Sequence, residues 1–246
     1  MLKCYRADLH IHTCLSPCGD LSMSPRKIVA EALRKEIDII GICDHNSAEN
    51  IPAVTKAAQG KDVVVIPGME VCTKEEIHVI ALFDDIDSSF KLQSLVHDNL
   101  RGENDPEAFG MQVIANEFDE VEGFQTKLLI GASELPVELV VDTIHQLNGI
   151  AIASHIDRES YSVISQLGFI PETTKFDALE FSSNTSDAEA RRRWHQYTHY
   201  PFVRNSDAHK LEDIGKGMCE CTIREPSLQE IAKALRNEGG RTVRAI

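Results

Sequence analysis

Short apolar runs alternate with longer amphipathic ones along most of this chain. "ADLHIH" (7–12) alternates with a period of two and predicts a strand. "SPRKIVAEALRKE" (24–36) sets Ile28, Val29, Ala32 and Leu33 on one helical face, with Ser24 as N-cap and Pro25 in the first position. "IDIIGIC" (37–43) predicts a buried strand, "AENIPAVTKAAQ" (48–59) a helix, and "VVVIPGMEV" (63–71) and "IHVIALF" (77–83) two more strands. Regularity then weakens to about Leu135, with a helical stretch near Phe90–Leu100 and a polar loop, "RGENDPEAFG". It returns with helix "PVELVVDTIHQLN", capped by Gly149, strand "IAIASH", a helix over 158–167 and strand "FDALEFSS". Helix "DAEARRRWHQY", strands "PFVRNSD" and "GMCECTI", and helix "SLQEIAKALRNEGG" complete the pattern. Strand–helix alternation repeated this often predicts parallel strands joined by helical crossovers, an α/β barrel or an open sheet.

The strands end on polar residues. The first stops at His12, the second before Asp44 and His45, and the third carries Glu70 near its end; later strands stop at His155 and at Asp207, with His209 just beyond. In a parallel barrel all such ends open on one face, where active sites are built. His10 and His12 are two apart on a strand, so both rings share a face with Asp8 while Leu9 and Ile11 point the other way. Asp207 and His209 repeat that spacing with one carboxylate and one imidazole. A single histidine is most simply a hydrogen-bonded core or surface residue. Two such pairs, joined at strand ends by His45 and His155, point instead to a metal centre.

Composition narrows the partners. The chain has 246 residues, 42% hydrophobic and 26% charged, ordinary for one large soluble domain. No apolar run reaches membrane-spanning length, and "MLKCYRADLH" lacks the apolar core of a signal peptide, so a cytoplasmic protein without membrane contact is expected. The formal charge of −14 argues against extended nucleic acid as a partner, because no basic stripe is available to displace counterions; gripping one nucleotide end remains open. Seven scattered cysteines read as reduced thiols. Cys14 and Cys18 look like half of a zinc clip, but no second Cys/His pair lies nearby to close a tetrahedron, which leaves Cys18 as an oxidation-sensitive neighbour of the metals. Nothing in the pattern sets an oligomeric state.

With these residues in view, the chain resembles the PHP (polymerase and histidinol phosphatase) family of metal-dependent phosphoesterases. "DLHIHT", "CDHN", "PGMEV" and "SDAH" resemble the family's first, second, third and last motifs, and "IHVIAL" and "ASHIDR" the intermediate histidine motifs. The resemblance implies a distorted seven-stranded (β/α) TIM-like barrel, one domain over 1–246, with up to three divalent ions, Zn²⁺, Mn²⁺ or Fe²⁺. It implies that His10, His12, Glu70 and Asp207 hold one ion, that Glu70 bridges to a second held by His78 and His155, and that Asp20, His45 and His209 hold a third. Residues 84–135 depart from a minimal member and are expected to form an insertion capping the site.

Glu70, Asp207 and His209 are the catalytic candidates. Asp8 and Asp44 are candidates for orienting imidazoles. Arg158 and Lys210 are candidates for the substrate phosphate, with Ser183 and Asn184 at a strand end beside it. "RRRW" (191–194) reads as a solvated helix face. The expected function is hydrolysis of a phosphate monoester on a small phosphorylated metabolite or nucleotide, through a metal-activated hydroxide. The alternatives are an oligonucleotide phosphodiesterase or exonuclease working from a 5′ end, and a non-catalytic metal-stabilised accessory module.

Overall fold

The computed structural model describes residues 1–246. In chain order the elements begin β1 (Lys3–Ile11), α1 (Pro25–Arg34), β2 (Ile39–Ile42), α2 (Ile51–Ala58), β3 (Val64–Cys72), β4 (His78–Leu82), α3 (Ile86–Asp98) and α4 (Pro106–Phe109). A small hairpin of β5 (Val113–Ala115) and β6 (Val121–Phe124) follows, then α5 (Val137–Gln146), β7 (Ile150–Ala153), α6 (Val163–Leu167), β8 (Ala178–Phe181), α7 (Asp187–Arg193) and β9 (Phe202–Arg204). β10 (Cys219–Ile223), α8 (Leu228–Leu235) and β11 (Thr242–Ala245) end the chain. Nine strands form one sheet in the order β11-β10-β1-β2-β3-β4-β7-β8-β9. It curls into a TIM-like barrel: Arg204 Nη1 on β9 reaches the Ile246 carbonyl beyond β11 at 2.8 Å, and Ala208, just past β9, bridges to Ile11 of β1. No helix is long and apolar enough to cross a membrane.

The sheet has two strands more than the seven expected, because β10 and β11 fit between β1 and β9. It is also mixed rather than wholly parallel. β4 runs antiparallel to both β3 and β7, and β10 antiparallel to β1 and β11. The reversal of β4 sets the route of the next seventy residues. β4 descends from the mouth of the barrel, and α3 climbs back until His97 Nε2 meets the Asn46 carbonyl at 2.9 Å. Residues 99–134 link α3 to α5, with Val113 N donating to Cys14 O at 3.0 Å and Glu117 reaching Lys56 of α2, and α5 descends to Gly149, beneath Leu82. The ends of that linking segment adjoin: Glu134 N donates to Asn99 O at 2.9 Å, and Leu100 bridges to Ser133.

Two apolar clusters hold the layers together. One lies between sheet and helices, with Ile28 and Val29 of α1, Val54 of α2, Leu92 of α3 and Val140 and Ile144 of α5. The other fills the barrel with Leu9, Ile39, Cys43, Ile80, Ile152 and Val203, and is closed by Leu228 and Ile231 of α8. Leu9 belongs to the inner cluster and Ile11 to the outer, so they do not share a face as strict alternation predicts; the pairing of β1 with β2 slips between Asp8 and Ile11. The helix expected over 158–167 forms only from Val163, where Ser162 builds a capping box with Ser165. Asn148, not Gly149, takes the left-handed turn after α5 (φ 58°). Gly149 is needed for space: a Cβ there would lie 2.6 Å from the Phe83 ring.

Candidate metal centre

The mouth of the barrel gathers six imidazoles around two carboxylates. His10 and His12 arrive on β1, His45 follows β2, Glu70 lies on β3, His155 follows β7, and Asp207 and His209 follow β9. His78 opens its strand where the others close theirs. Because β4 is antiparallel, that first residue lies at the mouth, its Nδ1 3.1 Å from Glu70 Oε1. Ligand atoms within 4.8 Å of one another form three groups: His10, His12, Glu70 and Asp207; His45, Glu70 and His78; and His12, His45 and His209. His155 joins through Nε2, 3.3 Å from Glu70 Oε1.

Glu70 is central. Its Oε1 faces His10, His78 and His155, and its Oε2 faces His45 Nδ1 at 3.1 Å and His12 Nε2 at 3.5 Å. Oε1, though buried among three ring nitrogens, makes no properly directed hydrogen bond, and the Nδ1 atoms of His78 and His155 are likewise unpartnered. Such orphaned polar atoms are rare in a folded interior, and a divalent cation between Glu70 Oε1 and His78 Nδ1 would satisfy both. The residues therefore fit the metal ions of the resemblance. Burial alone would raise the pKa of Glu70 and of Asp207, but the imidazoles around them outweigh it and hold both well below the usual carboxylate range. Burial likewise lowers His78. His155 (φ 27°), Asp207 (φ 48°), Asn46 (φ 51°) and Tyr161 (φ 56°) all take left-handed backbone conformations around this mouth. Strain of that kind concentrates where geometry serves a function.

A carboxylate not expected from the sequence stands behind the imidazoles. Glu180 of β8, buried, takes His10 Nδ1 between its oxygens at 3.1 and 3.2 Å and accepts from His155 N (2.9 Å) and Asn205 Nδ2 (2.8 Å). A single acid in the apolar run "ALEF" is the signal, since a buried carboxylate needs partners. Asp44 acts on an imidazole through Ser16: it accepts from Ser16 Oγ at 2.7 Å, and that hydroxyl lies 3.0 Å from His12 Nδ1. Asp8 instead accepts from Ser206 N and Gly215 N, fixing the loops after β9, and burial pushes its pKa up to about 6.

Of the four residues expected to contact substrate, one faces the centre. Arg158 lines a pocket of about 260 Å³ with His45, Glu70, His78, His155, Asp207 and His209, and its Nη2 lies 2.5 Å from Asp207 Oδ2. Ser160, Tyr161 and Ile130 complete the wall. Lys210 is exposed and outside this lining, as is Asn184, while the Ser183 carbonyl accepts from Arg204. β8 ends at Phe181, and its last hydroxyl turns to Asp157 rather than to the pocket, which draws the following residues away (Ser182 Oγ to Oδ2, 2.7 Å). Asp20 also lies apart: it is exposed, and its Oδ1 accepts from Ser22 N at 2.8 Å. Cys18 is exposed as well; partial burial would raise its thiol, but the neighbouring His209 and His45 outweigh this and bring it to about 6. A larger cavity, about 840 Å³, opens beneath β8 and β9 at the far end of the barrel, lined by Lys175, Asp177, Tyr197 and Tyr200, and carries no converging ligand group.

A TIM-like barrel with buried histidines and carboxylates converging at its mouth defines a metal-dependent hydrolase. The chain belongs to the PHP family: residues 8–166 match the PHP domain, and residues 188–239 match a PHP-associated segment. A 5′-3′ exoribonuclease of Salmonella typhimurium is 33% identical over 84 residues, 32% of this chain and 28% of that protein. A 5′-3′ exoribonuclease of Haemophilus influenzae is 31% identical over 78 residues, 30% of this chain and 27% of that protein. The match thus spans little more than a quarter of these curated relatives. The lesion-specific endonuclease Q of Pyrococcus furiosus shares the fold, with a TM-score of 0.75 at 20% identity over 98% of this chain and 58% of that one. Endonuclease Q has also been solved with a 27-mer duplex carrying an abasic lesion at the active site.

These findings correct the expectation drawn from charge. Proteins that share this sequence segment or this fold act on RNA and on duplex DNA, so a net charge of −14 does not set long nucleic acid aside. The physical reason is that net charge counts every carboxylate wherever it points. Asp8, Asp44, Glu70, Glu180 and Asp207 are all buried in or beneath the centre and present no negative surface to a strand.

Proposed function

We propose that this chain is a metal-dependent phosphodiesterase of nucleic acid, working from a 5′ end. The observation that carries the chemistry is Glu70, whose two oxygens lie within 3.5 Å of five ring nitrogens and so suit it to bridging two cations. His10, His12 and Asp207 complete one position and His78 and His155 the other. When bound, divalent cations there supply a nucleophile at neutral pH and neutralise the phosphate oxygens. Imidazole and carboxylate donors together suit Zn²⁺, Mn²⁺ or Fe²⁺. Glu180 holds the His10 ring so that Nε2 points into the centre, and Asp44 does the same for His12 through Ser16. Arg158, half-exposed at the rim, can exchange its contact with Asp207 for the bidentate grip of a phosphate.

The size of the site and the named activities of the relatives support a polymer end. At about 260 Å³ the pocket is smaller than a typical small-ligand site, so it takes the reacting phosphate and its nearest substituents, and the rest of the substrate lies outside. The segment 84–135 then acts as an inserted cap over which a strand would run. The test is a short 5′-phosphorylated RNA and its DNA counterpart, each with Mn²⁺, Zn²⁺ or Fe²⁺, beside a generic aryl phosphate. Mononucleotide release from the 5′ end, lost in Glu70→Ala, is expected. Turnover of the aryl phosphate alone would return the monoesterase, and no turnover of any substrate would leave a metal-stabilised module.

A further inference from the structure

Tyr161 belongs to none of the groups of candidate ligand atoms, yet it lines the same cavity of about 260 Å³ as Arg158 and Ile130. Its ring stacks on His78, with centroids 4.7 Å apart and planes inclined by 23°. That covers one face, and since the residue is still 41% exposed, the other face and the edge are open. The backbone is held under strain to keep the ring there. Tyr161 has φ 56°, a left-handed conformation that disfavours a bulky residue and persists only where neighbours enforce it. Its carbonyl accepts from His78 N at 2.9 Å, and Ser162 Oγ donates to the Arg158 carbonyl at 2.9 Å. The loop after β7 thus presents a guanidinium and an aromatic ring, three residues apart, to one cavity. From the inserted segment, the carbonyls of Leu129 and Gly131 each accept from Asn46 Nδ2 at 2.8 Å, and the residue between them, Ile130, adds an aliphatic wall.

We propose that the open face of Tyr161 is a stacking platform for the base of the 5′-terminal nucleotide, with Ile130 as the second wall of that subsite. A phosphate calls for cations and hydrogen-bond donors, which Arg158 and the centre provide. An open aromatic face beside an aliphatic side chain suits a flat, unsaturated ring instead. Every nucleobase has such a face, so the subsite demands a base without selecting which one. Tyr161 and Arg158 would then hold the two ends of one nucleotide, its base and its phosphate, from a single loop. The inference rests on the reading of this chain as a phosphodiesterase of nucleic acid, and it names what the pocket recognises besides phosphate.

The test uses the whole chain loaded with Mn²⁺ and two substrates, a 5′-phosphorylated RNA and the same strand with an abasic nucleotide at its 5′ end. The unsubstituted protein is expected to show a KM roughly 5–150-fold lower for the strand that carries the terminal base, the range that stacking on one aromatic ring supplies. Tyr161→Ala should erase that preference, Tyr161→Phe should keep it, and metal content per chain should be equal in all three. A second measurement needs no turnover: 2-aminopurine as the terminal base should lose fluorescence on binding to the unsubstituted protein and to Tyr161→Phe. The inference is overturned if the unsubstituted protein does not distinguish the two strands, or if Tyr161→Ala distinguishes them equally well. An equal fall on both strands with less metal bound would make Tyr161 a cover for His78, and would overturn it too. A strand neither bound nor cut would overturn it together with the phosphodiesterase reading, an outcome distinct from a strand cut without regard to its terminal base.

Discussion

Replacing Glu180 with glutamine keeps the shape of the side chain and should still damage the centre. Both carboxylate oxygens accept hydrogen bonds, Oε1 from Asn205 Nδ2 at 2.8 Å and Oε2 from the His155 backbone N–H at 2.9 Å, and both face His10 Nδ1. An amide can offer only one acceptor oxygen here. Whichever way it is turned, its NH₂ meets another donor, and a buried pair is left unsatisfied at a cost of about 1–3 kcal/mol. For a chain of this length that corresponds to a fall of about 2–12 °C in Tm for the metal-free protein. The ring of His10 also loses the charge behind it. Removing such a partner lowers metal affinity about 10–100-fold, or about 1.4–2.8 kcal/mol. Differential scanning calorimetry of the stripped protein measures the first effect, and calorimetric titration with Zn²⁺ measures the second. A Glu180→Gln protein that melts and binds zinc like the parent would refute the assignment of Glu180 as a positioning residue.

Three further outcomes are expected. Arg158→Ala should lower kcat/KM on a 5′-phosphorylated oligonucleotide by roughly 10–100-fold, the worth of a charge-assisted grip of about 1.5–3 kcal/mol, chiefly through KM; unchanged steady-state kinetics would remove Arg158 from the substrate. His145 Nε2 lies 2.9 Å from Asp177 Oδ2, and that hydrogen bond raises the His145 pKa above 6.5. A raised folded-state pKa gives stability that is fully present below the unfolded value and is lost as pH climbs through the folded one. Urea unfolding should therefore show the largest deficit of His145→Gln near about pH 5.5 and a deficit that closes by about pH 8.5; a deficit constant with pH would contradict the linkage. Gly149→Ala should destabilise by about 1–3 kcal/mol, because its Cβ would collide with the Phe83 ring and the Leu82 carbonyl, and equal urea midpoints for parent and variant would show that the corner relaxes freely.

Much of this architecture can be seen in the sequence because buried strands and amphipathic helices impose their own periods. β2 and β7 to β9 fall within the predicted runs, β1 and β3 overlap theirs, and the polar residues at their ends converge as expected. Strand direction leaves no such trace. "IHVIALF" is equally apolar read either way, so the antiparallel course of β4, which carries His78 to the mouth, needed the fold. β5, β6 and β11 went unpredicted because they are short and partly exposed, with "VEGF" showing no buried face. Strand-end logic also overreached where a side chain turned away. Ser182 is taken by Asp157, drawing Ser183 and Asn184 from the pocket, and one tight turn sends the Asp20 carboxylate to solvent. The −14 charge misled because it is a sum, and a strand would meet only the local field.

The reversed β4 and the adjoining ends of the linking segment have a consequence for how such a protein can be re-purposed. Asn99 and Glu134 are already held together by the barrel's own helices, so the chain between them hangs from a closed clasp. Doubling the length of a loop so anchored costs only about 0.6 kcal/mol in closure entropy. Insertions at its exposed turns are thus cheap, provided that Leu129, Gly131 and Val113 keep the hydrogen bonds their carbonyls accept from Asn46 and Asn50. If the proposed cap guides the substrate, a graft between Asn99 and Glu134 that keeps those contacts should shift substrate preference while leaving the candidate metal ligands where they stand.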